Sequence, residues 1–173
     1  MGYLIAVTVV VVVLAAVISL AKKGKGRAAR GGVPSDPSPF KRNKSFLTPA
    51  EQSFFGCLKL AVAGRWELFV KVRLLDLLWV PRGTEGKQGW KNRVQSKHVD
   101  FLLCDGKTLL PLLVIELDDS SHGRPDRQAK DELVANVLEG AGIPLLRMKA
   151  AVSYDTRAMS EEIQRAMREG LQG

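Results

Sequence analysis

Three acidic side chains and a histidine form the pattern in this 173-residue sequence that most suggests chemistry. Asp100 stands near the start of one predicted strand, Glu116 and Asp118 stand near the end of the next, and His122 follows in a polar loop. The Asp105-Gly106 turn signal makes a hairpin of the two strands, which brings the start of one beside the end of the other. Side chains two residues apart share a face of a strand, so we expect three carboxylates at one end of a sheet.

The expected crowding of these carboxylates points to a metal ion. Like charges that lie close together repel unless protons or a cation neutralise them. Mg²⁺ binds through one or two carboxylates together with water and substrate phosphate, and it can activate water for phosphoryl transfer. The sequence therefore predicts that Asp100 and Glu116 bind Mg²⁺, that Asp118 assists, and that His122 acts as a general acid or base. The alternative is that Asp118 is a solvated strand exit, although Glu116 is costly to bury without a partner.

Basic residues near these acids are candidates for phosphate contacts. Lys97 and Lys130 are possible accessory residues, and each is equally well explained as a solvated side chain. A basic patch in the predicted loop 81–97 is a candidate contact for a nucleic-acid backbone through Arg82, Lys87, Lys91 and Arg93. A solvated loop explains that patch equally well.

The elements that must position these residues follow from hydrophobic periodicity and turn signals. Thr48-Pro49-Ala50-Glu51 is a helix start with a capping box, which already gives Glu51 a structural role. The pattern then predicts the order α-β-β-β-α-β-α, with an antiparallel meander followed by a crossover helix and a further strand. This order indicates an α/β fold in which helices flank one sheet, and the run Leu109–Asp118 is expected to be its central strand.

The N-terminal part of the chain has a different composition. Residues 1–21 contain no charge and are long enough for a single transmembrane helix, whereas residues 22–46 form a basic, Pro- and Gly-containing linker. We expect the folded domain to occupy residues 47–173. Positive flanks stay in the cytoplasm, so the N-terminus is expected outside, and the linker is expected to contact anionic lipids. A cleaved signal peptide is the alternative, but no positive charge precedes the apolar run.

The net charge of +8 lies mostly in this linker. Eight of the 26 Lys and Arg residues fall within 22–44, together with only one of the 18 acids, Asp36. The remaining chain is close to neutral, so the overall charge does not indicate what the folded domain binds.

Four segments together resemble one bacterial protein family. They are Lys97-His98-Val99-Asp100-Phe101, the run Val114 to His122, Lys130-Asp131, and the run Ala141 to Arg147. The family is the domain of unknown function 2726, which is related to the PD-(D/E)xK nucleases and more distantly to the very-short-patch repair endonucleases. The resemblance spans about residues 46–150.

The resemblance implies a bacterial protein with a restriction-endonuclease-like core of order α-β-β-β-α-β. Combined with the predicted span, it leads us to expect a bacterial inner-membrane protein. It assigns metal binding to Asp100 and Glu116, an auxiliary acid to Glu51, and proton transfer near the scissile phosphate to His122. Asp118 stands where the nuclease pattern has lysine. That lysine is also absent from the repair-type enzymes, and Lys97 or Lys130 is expected to replace it.

Three hypotheses on function follow from these features. The first is a membrane-anchored, metal-dependent enzyme that cleaves DNA or RNA phosphodiesters. The second is a catalytically silent domain that binds nucleic acid or a protein, which the missing lysine and the near-neutral domain favour. The third is a structural membrane protein in which the acids form salt bridges only.

Overall fold

The computed structural model describes the backbone of residues 38–118 and 125–170, and the side chains of 38–118 and 131–170. The predicted span 1–21, most of the predicted linker, and His122 lie outside the described residues, as does the side chain of Lys130. Within the described ranges, no helix combines the length and the apolar character needed to cross a membrane. The chain separates into Met1–Asn43 and a compact unit, Lys44–Gly173, to which the following description applies. The boundaries 1–21, 22–46 and 47–173 stay predictions.

Four strands of the compact unit form one mixed sheet in the order β1-β2-β3-β4. The first three strands are antiparallel neighbours, and β4 lies parallel to β3 after a crossover helix. This arrangement confirms the predicted α/β class with a sheet flanked by helices. The described elements are α1 (Pro49–Val62), β1 (Glu67–Arg73), α2 (Leu74–Leu77), α3 (Lys87–Val94), β2 (His98–Cys104), β3 (Pro111–Asp118), α4 (Pro125–Gly140), β4 (Leu145–Lys149) and α5 (Thr156–Gly170).

Helix α1 begins with the predicted capping box. The Thr48 hydroxyl accepts a hydrogen bond from the Glu51 amide at 3.3 Å, and the Thr48 amide donates to Glu51 Oε2 at 2.9 Å. These bonds satisfy amide groups that a helix start otherwise leaves unpaired. The helix ends at Val62, and the left-handed backbone of Ala63 caps its last turn.

The sheet is covered by helices on both faces. Helices α1 and α5 pack on one face, where the Phe54 and Phe101 rings lie 5.1 Å apart. Helices α2, α3 and α4 cover the other face. Ile115 contributes to the first hydrophobic cluster and Val114 to the second, and both are fully buried. Strand β3 is therefore central and covered on both sides, which confirms that prediction.

The stretch 81–97 differs from the polar loop that the sequence predicts. It contains the eight-residue helix α3, and β1 is followed directly by the short helix α2. Val94 is the only residue of α3 that is buried, so this helix has almost no apolar periodicity by which it could be recognised. Its packing against the second face of the sheet, rather than its intrinsic pattern, therefore accounts for its formation.

Candidate functional site

A cleft of about 330 Å³ opens at the end of the sheet where β2 begins and β3 ends. We call it the acidic cleft, because five carboxyl residues line it. The polar and charged residues of its lining are Thr48, Glu51, His98, Asp100, Glu116, Asp118, Asp131 and Arg147. The predicted residues Glu51, Asp100, Glu116 and Asp118 thus come together in one concave site.

Each of the four strands contributes one charged residue at the same level of the sheet. The registers align Lys71 on β1, Asp100 on β2, Glu116 on β3 and Arg147 on β4. Glu116 and Arg147 are direct partners in the parallel pair. Two acids therefore occupy the middle of the row, and a cation stands at each end.

Lys71 reaches the cleft because the alternation of β1 breaks at this residue. Its φ of +53° lies in the left-handed region, which is costly for a residue other than glycine. Val70 packs on one face of the sheet and Val72 on the other, whereas strict alternation would place both on the same face. Strict alternation would also place Lys71 on the solvent side of β1, so its contact with the site depends on this break.

The Lys71 ammonium group links α1 to β2 by binding two carboxylates. It donates to Asp100 Oδ1 at 3.0 Å and forms a short ion pair with Glu51. Burial lowers the pKa of Lys71, but the hydrogen bonds to Glu51 and Asp100 and the charges of both outweigh burial, so its pKa is raised. The other oxygen of Asp100 accepts from the Leu117 amide at 3.1 Å. Asp100 is therefore held rigidly beside the end of β3.

Glu116 is the most strongly perturbed acid of the cleft. Burial is the main cause, followed by the charge of Asp100 and a hydrogen bond between the two carboxyl groups, and together they raise the pKa of Glu116 to about 8. The charge of Asp131 also raises its pKa, whereas Arg147 lowers it. At neutral pH the protonated form of the Glu116 carboxyl group is therefore favoured.

The described residues contain no group of three or more His, Cys, Asp or Glu side chains arranged to hold a metal ion. Asp100 and Glu116 nevertheless form an adjacent pair of oxygen donors, and Asp118 stands exposed two residues further on. Such a pair matches the way Mg²⁺ binds through one or two carboxylates, with water and phosphate completing its shell.

Several candidates from the sequence lie elsewhere. Lys97 is absent from the lining of the acidic cleft, and the Lys130 side chain and His122 lie outside the described residues. None of the basic patch residues Arg82, Lys87, Lys91 and Arg93 lines the acidic cleft. Lys87 and Arg93 instead contact Pro81 and Trp90, which line a different groove.

Three ionisable residues of the cleft lining, and Lys71 beside it, were not chosen from the sequence as site residues. His98, Asp131 and Arg147 stand within the motif segments, which was the available signal. Arg147 is anchored by a 3.1 Å hydrogen bond to the Asp131 carbonyl oxygen. For Lys71 the only signal was a lysine within a largely apolar strand.

Comparison with known families gives a match over most of the compact unit. Residues 43–167 match the model of the family described as Protein of unknown function (DUF2726). The match covers more than half of the chain, so the chain belongs to this family, and the resemblance inferred from the motif segments is confirmed. Neither a curated protein nor a solved structure matches the chain. The relation to PD-(D/E)xK and repair-type nucleases stays a prediction.

The raised pKa of Glu116 makes the stability of the protein depend on pH. An unfolded glutamate titrates near 4.3. Between that pH and about 8 the folded protein keeps a proton that the unfolded chain has lost, so its free energy of unfolding falls as pH rises. We expect Glu116→Gln to be more stable than the wild type by about 2 kcal/mol near pH 9, and this gain to vanish near pH 4. Urea unfolding across this pH range measures the difference.

The matched control is Asp118→Asn, which removes an exposed carboxylate of the same strand. It should leave the pH dependence of stability as in the wild type. An identical pH profile for wild type and Glu116→Gln would contradict the assignment of the proton to Glu116.

The charge of Lys71 stabilises the fold through two ion pairs, whereas its left-handed backbone conformation destabilises the fold. Lys71→Ala leaves Glu51 and Asp100 without their shared cation and should cost about 1–3 kcal/mol. Lys71→Gly loses the same ion pairs but relieves the left-handed backbone, so it should be more stable than Lys71→Ala by about 1 kcal/mol. Thermal unfolding of the two variants measures this order.

Lys149 on β4 provides the control, because it is an exposed strand lysine without a positive φ. There the order should reverse, with the glycine variant less stable than the alanine variant. If the glycine variant is less stable than the alanine variant at both Lys71 and Lys149, the backbone of Lys71 is not strained.

Proposed function

We propose that this member of the DUF2726 family is a metal-dependent, nuclease-like enzyme that cleaves nucleic-acid phosphodiesters in the acidic cleft. The observation that carries the proposal is that Asp100 and Glu116 line one open cleft, where burial and the charge of Asp100 raise the pKa of Glu116 to about 8. A carboxyl pair that holds a proton in the absence of a metal ion can release that proton when a divalent cation binds.

The donor set of the cleft fits Mg²⁺. Asp100 and Glu116 offer hard oxygen atoms, and Lys71 neutralises only part of the charge of Glu51 and Asp100. When Glu116 loses its proton, the carboxyl groups of the acidic cleft together gain one negative charge. A divalent cation would offset that charge. Bound Mg²⁺ would lower the pKa of a water molecule and offset charge on a phosphoryl group. Asp100 and Glu116 would hold it.

Lys71 and Arg147 support phosphate binding in this proposal. Lys71 fixes the orientation of Asp100 by its hydrogen bond, and so supplies the cation that the sequence places at Lys97 or Lys130. Arg147 lines the cleft beside Glu116, and its guanidinium group is suited to a phosphate oxygen. Two cations and two metal-binding acids would then surround one phosphodiester.

Proton transfer is assigned to a histidine. His98 lines the cleft two residues before Asp100, and its imidazole ring is exposed to a ligand there. Imidazole is a common general acid or base in hydrolysis. His122, which the family resemblance suggested for this role, stays the alternative.

The finer features of the proposal concern fold relation and location. The strand order and the acids at the ends of β2 and β3 support a restriction-endonuclease-like, PD-(D/E)xK core. The uncharged residues 1–21 and the basic residues after them support a single span in a bacterial inner membrane, with the domain held in the cytoplasm and the linker near anionic lipids.

A second candidate is a catalytically silent domain that binds nucleic acid or a protein. Lys71 favours it, because an internal ammonium group already bridges Glu51 and Asp100, and ion pairs of this kind also serve structure alone. In that case the acidic cleft would need no metal, and binding would survive its removal.

Cleavage of labelled single- and double-stranded DNA and RNA by the full chain, with Mg²⁺ or with EDTA, tests the two candidates. We expect Mg²⁺-dependent cleavage that falls about 100-fold or more in Glu116→Gln, because that variant can no longer provide a second carboxylate. Glu161→Gln, on the exposed side of α5, is the control and should cleave as the wild type does.

Two outcomes would overturn the enzyme proposal. One is the absence of cleavage under all these conditions, and the other is equal cleavage by Glu116→Gln and the wild type. Nucleic-acid binding that persists in EDTA and in Asp100→Asn, without cleavage, would support the silent domain.

A further inference from the structure

A second groove lies on the face of the sheet that α2, α3 and α4 cover. Its volume is about 570 Å³, and we call it the tryptophan groove after the two indole rings in its lining. Trp79 is 80% exposed and Trp90 is 45% exposed. Apolar residues in and just after α2 and α4 contribute much of the remaining lining, including Leu75, Leu78, Val137 and Ala141. Large exposed aromatic rings in a concave site indicate a ligand, because burying them against the protein would otherwise stabilise the fold.

Cations stand at the edge of this groove. The Lys87 ammonium group lies 3.5 Å from the carbonyl oxygen of Pro81, which is itself part of the lining. The Arg93 guanidinium group stacks on Trp90 at 4.9 Å from the ring centre. Arg82 follows Pro81 directly, and Glu85 is the only acid between Pro81 and Val94. The groove therefore combines flat aromatic surfaces with an excess of positive charge.

We propose that the tryptophan groove binds single-stranded nucleic acid, with unpaired bases stacked on Trp79 and Trp90 and phosphates contacted by Arg82, Lys87 and Arg93. Every base presents an aromatic face, so stacking on indole rings does not require a particular sequence. The phosphates of the same strand match the cations at the groove edge. A duplex hides the faces of its bases between neighbouring pairs, so it cannot use the tryptophans in this way.

The shape of the groove favours a strand over a membrane. Tryptophan and basic residues also occur where proteins lie on anionic lipids. A bilayer surface, however, cannot enter a concavity between α4 and the segment 75–94, whereas a single strand is narrow enough to follow it. Binding to lipid is therefore the alternative that the experiment must be able to detect.

This inference goes beyond the proposed reaction, because the groove needs neither a metal ion nor Asp100 and Glu116. It also identifies single-stranded nucleic acid as the substrate class of the acidic cleft, which rests on the proposed function. Helix α4 lines both sites, with Asp131 and Val134 at the cleft and Asn136 and Val137 at the groove. A strand bound in the groove would thus be held along the helix that borders the cleft.

Fluorescence anisotropy in EDTA tests the groove without any cleavage. The probes are a labelled single-stranded DNA and RNA of about 20 nucleotides, and a labelled duplex of the same sequence. We expect the full chain to bind the single strands more tightly than the duplex. Trp79→Ala should weaken that binding about tenfold, because one stacked base contributes about 1–3 kcal/mol. Lys87→Ala should weaken it less and reduce its dependence on salt.

Three controls separate this result from misfolding and from the proposed reaction. Phe46→Ala removes an aromatic ring that is 64% exposed outside the groove, and it should bind as the wild type does. Trp79 is so exposed that its removal should leave the unfolding temperature unchanged. Glu161→Gln, on the exposed side of α5, should also bind as the wild type does, and the presence of EDTA keeps loss of groove binding distinguishable from loss of cleavage.

Several results would overturn the inference. They are equal or tighter binding of the duplex, wild-type affinity in both Trp79→Ala and Trp90→Leu, and no binding of single strands. The last result combined with Trp79-dependent binding to phosphatidylserine vesicles would assign the groove to lipid instead.

Discussion

The ammonium group of Lys71, bound between Glu51 and Asp100, is the interaction on which the acidic cleft depends. It connects the first turn of α1 to the beginning of β2, and the left-handed backbone of Lys71 directs it there. Backbone strain of this kind persists where surrounding contacts hold it, and it is concentrated at functional sites. Without this cation, Asp100 would face both Glu51 and Glu116 as an unneutralised charge.

Lys71 neutralises only part of the negative charge of the acidic cleft. The charge that remains is removed by a proton on Glu116, which the pKa of about 8 keeps in place at neutral pH. A fixed ion pair and an exchangeable proton thus lie side by side on neighbouring strands. A network that serves stability alone would gain nothing from the exchangeable proton on Glu116. A carboxyl group that must be protonated before it is buried stabilises the fold less than an apolar side chain of the same size. This contrast is the physical basis for regarding the cleft as a binding site.

The sequence was sufficient to bring Asp100 and Glu116 together, because a hairpin turn and the two-residue period of strands determine which side chains are neighbours. It could not identify Lys71, since strict alternation places that residue on the solvent side and only a local change of φ redirects it. Arg147 stands within a motif segment, but its position beside Glu116 could not be predicted, because the register of the parallel strand β4 depends on how α4 packs across the sheet. Helix α3 was missed because Val94 is its one buried residue.

The central claim is that Asp100 and Glu116 share a proton that a divalent cation displaces. Calorimetric titration of the full chain with Mg²⁺ near pH 7, in two buffers of different ionisation enthalpy, measures that exchange directly. We expect Mg²⁺ to bind with release of about one proton per ion, and we expect Glu116→Gln to lose that proton release. Absence of Mg²⁺ binding, or binding without proton release that Glu116→Gln leaves unchanged, would contradict it.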